Sequence, residues 1–253
     1  MKLIGNEIKY CEKHIKNGTV DKRKPVKTIT SLIKYYHMKM NLSEGEIKQE
    51  VMKHLNNVQV EMDEEYIDKL VKTNTSDKVT LNTLDKITIT EAEWGVIQEM
   101  GRNERERKVL FFFLCSYKIK RGLGYMANNS VRIEYGSLNS DAHVTFTAKQ
   151  RAESLNYFET HGLIEIGLGI NADRITLYYV NDESPTKMEI TEFDCLDTYY
   201  KYGKKGGKLI ICKECGELFI AKQKGRTSTQ CTDCYELKSQ ESKNKYLREK
   251  RAK

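Results

Sequence analysis

Proline is nearly missing from this chain: Pro25 and Pro185 are the only two in 253 residues, so long Pro-rich linkers are excluded. Long apolar runs are missing too. The segment Val109 to Cys115 falls far short of the roughly 20 residues that cross a bilayer, and Arg107, Lys108 and Lys118 stand close to it. The opening Met1-Lys2-Leu3-Ile4-Gly5 gives way at once to Asn6, Glu7 and Lys9, which is no secretory signal. The expectation is a cytoplasmic chain with no membrane partner. In that reducing setting paired cysteines point to metal or redox chemistry rather than disulfides.

Catalytic signatures are also lacking. There is no phosphate-cradling G-x-x-x-x-G-K-[ST], no H-E-x-x-H and no G-x-S-x-G. His14, His37, His54, His143 and His161 are scattered, and His161 lies where a helix C-terminus favours a cation. No carboxylate pair stands out, although carboxylates assembled only by folding escape such a search. The expectation is a protein without enzymatic activity. Internal repeats and low-complexity tracts are absent as well.

What is present is charge, unevenly spread. The net charge is +7, with 39% hydrophobic and 31% charged residues. Residues 201–253 hold 15 Lys or Arg against 6 Asp or Glu, while the other 200 hold 28 against 30. All net positive charge therefore sits in the last fifth of the chain. Four thiolates with one divalent ion would lower that segment by only two. Such a tail is either a solubilising extension or the electrostatic footprint of a polyanion, nucleic acid being the usual one.

The first ninety residues read as helical. Ile29, Leu32, Ile33 and Tyr36 share one helix face. Ser43 and Glu46 form a capping-box pair, followed by Ile47, Val51 and Leu55 on one stripe. Asp63 caps a third helix with Tyr66, Ile67, Leu70 and Val71 as its apolar residues. The polar stretch 73–89 reads as a linker with a short strand at Val79 to Leu81. This helical piece loosely resembles small domains beside phage and plasmid primases, and equally any three-helix adapter.

Further capping pairs follow at Thr90/Glu93, Asn103/Glu106 and Thr147/Gln150. The helix after Asn103 carries Val109, Leu110, Phe113, Leu114 and Tyr117 and ends at Gly122 and Gly124. Val131 to Tyr135 alternates as a strand, and Gly136 to Val144 holds a turn or two of helix. The helix opened by Thr147 turns Ala148, Arg151 or Ala152, Leu155 and Phe158 inward, and Gly162 stands just past its end. Leu163 to Ile166 and Arg174 to Val180 are strands around a turn-rich loop.

Helix, short strand, short helix, helix and hairpin is the order of a winged helix-turn-helix. Thr147 to Val180, with His161-Gly162-Leu163-Ile164-Glu165-Ile166, closely resembles the end of that family, over about ninety residues in all. The resemblance implies a helix in the major groove of double-stranded DNA and a wing against the backbone or minor groove. By position it nominates Thr145, Lys149, Gln150, Ser154, Arg151 and Asn156 as groove-facing, and Arg174 as the first base of the wing. Two features depart from the pattern. The loop Gly167 to Asp173 has no Lys or Arg, and residues 91–200 hold 12 basic against 17 acidic side chains. Those features suit protein docking instead.

Thr191 with Asp194 caps a helix carrying Phe193, Leu196 and Tyr200, and Lys201 to Lys208 reads as a flexible linker. Then comes the most specific signal in the chain: Cys212-x2-Cys215-x15-Cys231-x2-Cys234. Each CxxC forms a knuckle around one face of a tetrahedral ion, and fifteen intervening residues suffice for a hairpin. Gly216 lets the first knuckle turn with positive φ. So small a piece buries little core, and metal binding supplies much of its folding energy. Four thiolates close the coordination sphere, so one structural Zn2+ is expected rather than a catalytic one. A redox role lacks the surrounding βαβ pattern. Cys11, Cys115 and Cys195 read as ordinary packed or surface residues.

This segment resembles zinc ribbons of phage and mobile-element proteins, in which CxxCGxxF, a basic hairpin and a second cysteine pair lead into a basic helix. The residues so nominated for phosphate contact are Lys222, Lys224 and Arg226 in the hairpin, and Lys238, Lys243, Lys245, Arg248, Lys250 and Arg251 in the closing helix, which runs from Tyr235 toward Arg251. The expected architecture is mainly α with small β. It comprises a helical domain (1–75), a linker (76–89), a winged helix (90–182), a connecting helix and linker (183–208), and a zinc ribbon with basic tail (209–253). The implied activity is DNA binding in transcription or replication, with protein docking by the winged helix, or RNA binding by the ribbon and tail, as alternatives, and the N-terminal domain is a second place for a protein partner.

Overall fold

Asn6 and Gly18 bracket the first helix, α1 (Glu7–Asn17): the Asn6 side chain accepts from the Lys9 amide, and Gly18 takes a left-handed φ of 56°. The computed structural model describes residues 4–21, 25–125, 130–133, 136, 138–169, 173–221 and 229–251, without the side chains of 241–242 and 244–251. Two compact units emerge, one of Leu3–Asp85 with Arg121–Tyr125, the other of Lys86–Lys120 with Met126–Lys253 and the first two residues. Mainly helical structure with small antiparallel sheets is what the sequence leads one to expect.

In the first unit, α1 is joined by α2 (Pro25–Met38), α3 (Glu44–Asn57) and α4 (Glu64–Asn74). Four helices pack here rather than three. Ile29, Leu32, Ile33, Tyr36, Ile47, Val51, Leu55, Ile67 and Val71 form the core, with Cys11 from α1. Tyr66 falls outside it, 42% exposed, because it sits at the N-terminal turn of α4 beside its Asp63 cap. The buried Glu7 carboxylate binds the Lys34 ammonium at 3.0 Å, the Ser31 hydroxyl and the Asn82 amide. That last bond, with Glu7 N donating to Asn82 O and a bridge between Asn6 and Thr83, pins residues 82–84 to the start of the chain. The expected strand at Val79 to Leu81 does not form, having no partner strand beside it.

The second unit opens with β1 (Ile87–Thr90), inside the stretch expected to be linker, and α5 (Glu91–Met100), whose Thr90/Glu93 capping box is complete. Next is α6 (Glu104–Gly122). Every residue from Val109 to Ile119 is buried, the mark of a central helix. Its Asn103 cap forms with the Glu106 amide, but the Glu106 carboxylate reaches the Arg102 amide instead of closing a box on Asn103. Then follow β2 (Ser130–Arg132), α7 (Leu138–Asp141), α8 (Ala148–Thr160), β3 (Ile164–Ile166) and β4 (Arg174–Leu177). These three strands form one antiparallel sheet ordered β2-β4-β3. Of the β2 expectation, Glu134 and Tyr135 lie outside the described residues.

On α8 the inward residues are Ser154, Leu155 and Phe158, whereas Ala148 and Ala152 are exposed. A strand not foreseen, β5 (Thr186–Ile190), pairs antiparallel with β1, Ile87 opposite Ile190. Thr191 does not cap the helix that follows: its amide donates to the Tyr199 hydroxyl, and a 3-10 turn (Phe193–Cys195) leads into α9 (Leu196–Lys205). The expected flexible linker from Lys201 is therefore helical as far as Lys205. Tyr199 and Tyr200 are buried, Tyr200 against Trp94 and Phe111, and Gly203 sits so close to Trp94 that its lack of a side chain is a packing requirement. The chain ends with hairpin β6 (Lys208–Ile211) and β7 (Leu218–Ala221), then α10 (Thr232–Arg251). No described helix is long and apolar enough to cross a membrane.

Candidate metal centre and surrounding basic residues

Between β6 and β7 the chain makes the first cysteine knuckle. Cys212 N donates to Glu217 O and Gly216 N to Cys212 O, both at 2.9 Å, and Gly216 takes a φ of 73°. Lys213 N donates to Thr229 O at 3.0 Å, drawing the second knuckle onto the first. Cys231 then precedes α10, whose first turn holds Cys234.

The four sulfurs lie within 4.8 Å of one another, and Cys215 Sγ is 3.7 Å from Cys231 Sγ. A tetrahedron of sulfurs about 2.3 Å from a central ion has edges of about 3.8 Å, so the set fits one metal ion. The N–H groups of Cys215 and Cys231 point at Cys212 Sγ, the latter at 3.3 Å, and pull that thiol down to about 6. Burial pushes Cys215 up, and Cys234 rises because Cys231 and Cys215 sulfurs crowd it. The Glu217 N–H also points at Cys215 but does not outweigh its burial, whereas Cys234 meets only other sulfurs, and a cation among them would make four thiolates compatible. Between Gly206 and Gln240 only Cys212 and Ala221 are buried among the described residues. So little apolar surface is a weak hold on a hairpin and a helix start, and a metal ion bound by the four cysteines would supply the missing core.

The basic residues fall into three groups. On α8 and just before it, Thr145 and Lys149 are exposed, with Lys149 3.9 Å from Glu153. Gln150 is exposed but its carbonyl accepts from Thr147 N in a capping box, Arg151 is half-buried, and Asn156 is exposed. Ser154 does not face outward: it is 5% exposed and its hydroxyl donates to Glu106 Oε1 at 2.9 Å. The buried carboxylate of α6 draws the serine inward, a long-range need that helical spacing on α8 alone does not reveal. In the sheet, Arg174 is exposed and lies directly opposite Arg132, which the sequence reading passes over.

In the ribbon, Lys222, Lys224 and Arg226 lie outside the described residues. Lys238 binds Glu214 at 2.7 Å, bracing α10 against the first knuckle, and Lys243 is exposed. Lys245, Arg248, Lys250 and Arg251 lie on α10, their side chains outside those described. Comparison with protein-family models, with curated proteins and with solved structures finds no match to this chain. The class is thus defined by the chain's own geometry: a mainly helical protein carrying a four-cysteine site for one metal ion.

Proposed function

We propose that the chain is a non-enzymatic, cytoplasmic DNA-binding protein, built around a winged helix and a structural zinc ribbon, in which the ribbon and α10 supply affinity through phosphate contacts. The observation that carries this reading is the join between metal site and basic helix. Tyr235 N donates to Cys231 O, so α10 grows directly out of the cysteine cluster. From residue 242 onward it and the chain end hold six Lys or Arg against one Glu. A metal-anchored helix of this kind holds its cations along one rod, which suits a polyphosphate track better than an unstructured tail does. Zinc is the ion because four soft thiolates in a closed tetrahedron favour it. The order β2-β4-β3 beside α8 supports the winged-helix assignment, and transcription or replication at a phage or mobile element is the setting that resemblance suggests.

Fluorescence anisotropy with a labelled DNA duplex tests this, comparing the zinc-loaded full chain with one ending at Gln240, which keeps all four cysteines. The full chain is expected to bind with an apparent affinity that falls steeply with salt, and the shorter chain to lose several units of the log–log slope, about one per phosphate contact removed. Equal binding by the two, or no binding by the full chain at low salt, would sink the proposal.

One observation favours a second reading for α8. Its exposed face has Lys149 balanced by Glu153, exposes Ala148 and Ala152, and keeps Ser154 inside. Such a face suits docking of a protein partner. Charge reversal at Lys149 separates the two: altered sequence preference supports base readout, whereas unchanged DNA binding supports docking.

A further inference from the structure

The wing loop carries no cation from Gly167 to Ala172, yet Arg174 stands at the base of that hairpin and the neighbouring β2 adds a second arginine. Arg132 on β2 stands directly opposite Arg174 on β4. Ile133 N donates to Asp173 O, so the pairs at Val131/Ile175 and Ile133/Asp173 are the hydrogen-bonded ones. Arg132 and Arg174 are then a non-hydrogen-bonded pair, the kind whose side chains come closest and project from one face. The other face is settled by burial, because Val131 and Ile175 are both fully buried. Both arginines are exposed.

Like charges directly opposite each other in a sheet oppose folding. Asp173 pairs with Arg132, but Arg174 has no ion pair among the described residues. A third cation stands at the same strand, for Lys120 Nζ donates to the Arg132 carbonyl at 2.8 Å. The next row of this face holds two hydroxyls, Ser130 opposite Thr176. Beyond them, on β3, Glu165 is taken up by the Tyr178 hydroxyl, which confines the positive end to the β2–β4 side. Two guanidinium forks with a hydroxyl pair one row away are donors suited to a tetrahedral, doubly charge-shared oxyanion.

We propose that the exposed β2–β4 face, with Arg132 and Arg174 as its charged pair and Ser130 and Thr176 beside them, binds a backbone phosphate of duplex DNA. The site rests on the DNA-binding reading above and refines it: phosphate contact in the hairpin comes from its base and from β2, while the uncharged loop contributes no ion pairing. A polyanion also resolves the like-charge pair, since a phosphate between two guanidiniums turns their repulsion into shared attraction.

The test uses the full, zinc-loaded chain, with duplex anisotropy across a salt series and thermal melting of the same preparations. Arg174→Ala and Arg132→Ala should each weaken duplex binding by about 5- to 10-fold at low salt and reduce the salt slope by about one. Arg174→Ala should melt no lower than the parent chain, because it removes a like-charge neighbour, whereas a structural arginine would lower the melting temperature when lost. Arg174→Lys should keep the slope, since it keeps the charge. If the parent chain binds and both alanine variants bind with its affinity and slope, this site is wrong while the DNA-binding reading stands. If the parent chain does not bind duplex at all, both fall. Stronger binding of single-stranded RNA, with the same loss in the variants, would overturn the duplex assignment.

Discussion

Glu106 is the residue on which the middle of the molecule turns. It is 1% exposed, and a buried carboxylate needs partners for its charge and lone pairs. Arg102 supplies a guanidinium at 2.5 Å and its own amide at 2.9 Å, and Ser154 of α8 supplies a hydroxyl at 2.9 Å. Arg102 in turn lies over the Tyr157 ring, 4.1 Å from its centre. The three partners fix α8 against α6 by polar bonds at a single point. Burial alone would raise the Glu106 pKa, but the Arg102 and Ser154 donors outweigh it and hold the carboxyl below its ordinary value. A depressed folded-state pKa stabilises above the unfolded value, near 4.3, and that contribution disappears as pH falls through the folded value. Glu106→Gln should therefore cost about 1–3 kcal/mol at pH 7, with the gap to the parent chain shrinking below about pH 4. Urea denaturation at the two pH values checks it. A gap that widens in acid would mean that the carboxyl is not ionised in the fold. Ser154→Ala should cost about 1 kcal/mol at pH 7 and, under the proposed DNA-binding function, leave any sequence preference unchanged, because the hydroxyl faces the carboxylate and not solvent.

At the scale of elements, glycine separates two uses of one residue type. Gly203 lies within α9, where alanine is normally better by about 1 kcal/mol. Here an added Cβ would come 2.8 Å from Trp94 Cη2 and against the end of Met188, both from neighbouring elements. Gly95 lies within α5 with nothing within 4 Å of an added Cβ. Gly95→Ala is expected to stabilise by about 0.5–1 kcal/mol, and Gly203→Ala to destabilise by about 1–3 kcal/mol and shift the emission of Trp94, the only tryptophan. Stabilisation by both variants, read by denaturation, would show that α9 is not packed as described. The same glycine explains why part of this fold was hidden from sequence. Lys201 to Lys208 has the composition of a loose connector, and only the neighbouring tryptophan reveals why glycine is needed. Local signals were legible where the partner sits within four residues, as in the Ser43/Glu46, Thr90/Glu93 and Thr147/Gln150 capping boxes. They were also legible where spacing alone dictates geometry, as in the two CxxC pairs. The pairing of β1 with β5 joins residues a hundred positions apart, and the inward turn of Ser154 depends on a carboxylate 48 residues upstream. Neither leaves a trace in local periodicity.

At the scale of the molecule, stability comes from different sources along the second unit. Trp94, Phe111 and Tyr200 meet with ring centres 5.6–5.9 Å apart, in a core of apolar contacts that needs no ion. Among its described residues the ribbon beyond α9 buries only Cys212 and Ala221, so a metal ion on the four cysteines would supply most of its order. Removal of the ion by a strong chelator should therefore act regionally. One metal should leave per chain, and four thiols should become reactive together. Cys11 and Cys115, fully buried and with thiols pushed up by that burial, should react only on global unfolding. Far-ultraviolet circular dichroism should lose helix as α10 comes free of its cysteine anchor, while Trp94 emission stays where it is. Under the proposed DNA-binding function, duplex affinity should fall with the helix signal, because the cations remain but their rod does not. The opposite pattern has a structural route of its own: α9 packs against β7, and Gly207, beyond the end of α9, leaves no room for a Cβ beside Ile220. If Trp94 emission moves to longer wavelength as the metal leaves, that packing transmits the loss into the aromatic core, and the ion supports the whole unit rather than its C-terminal ribbon.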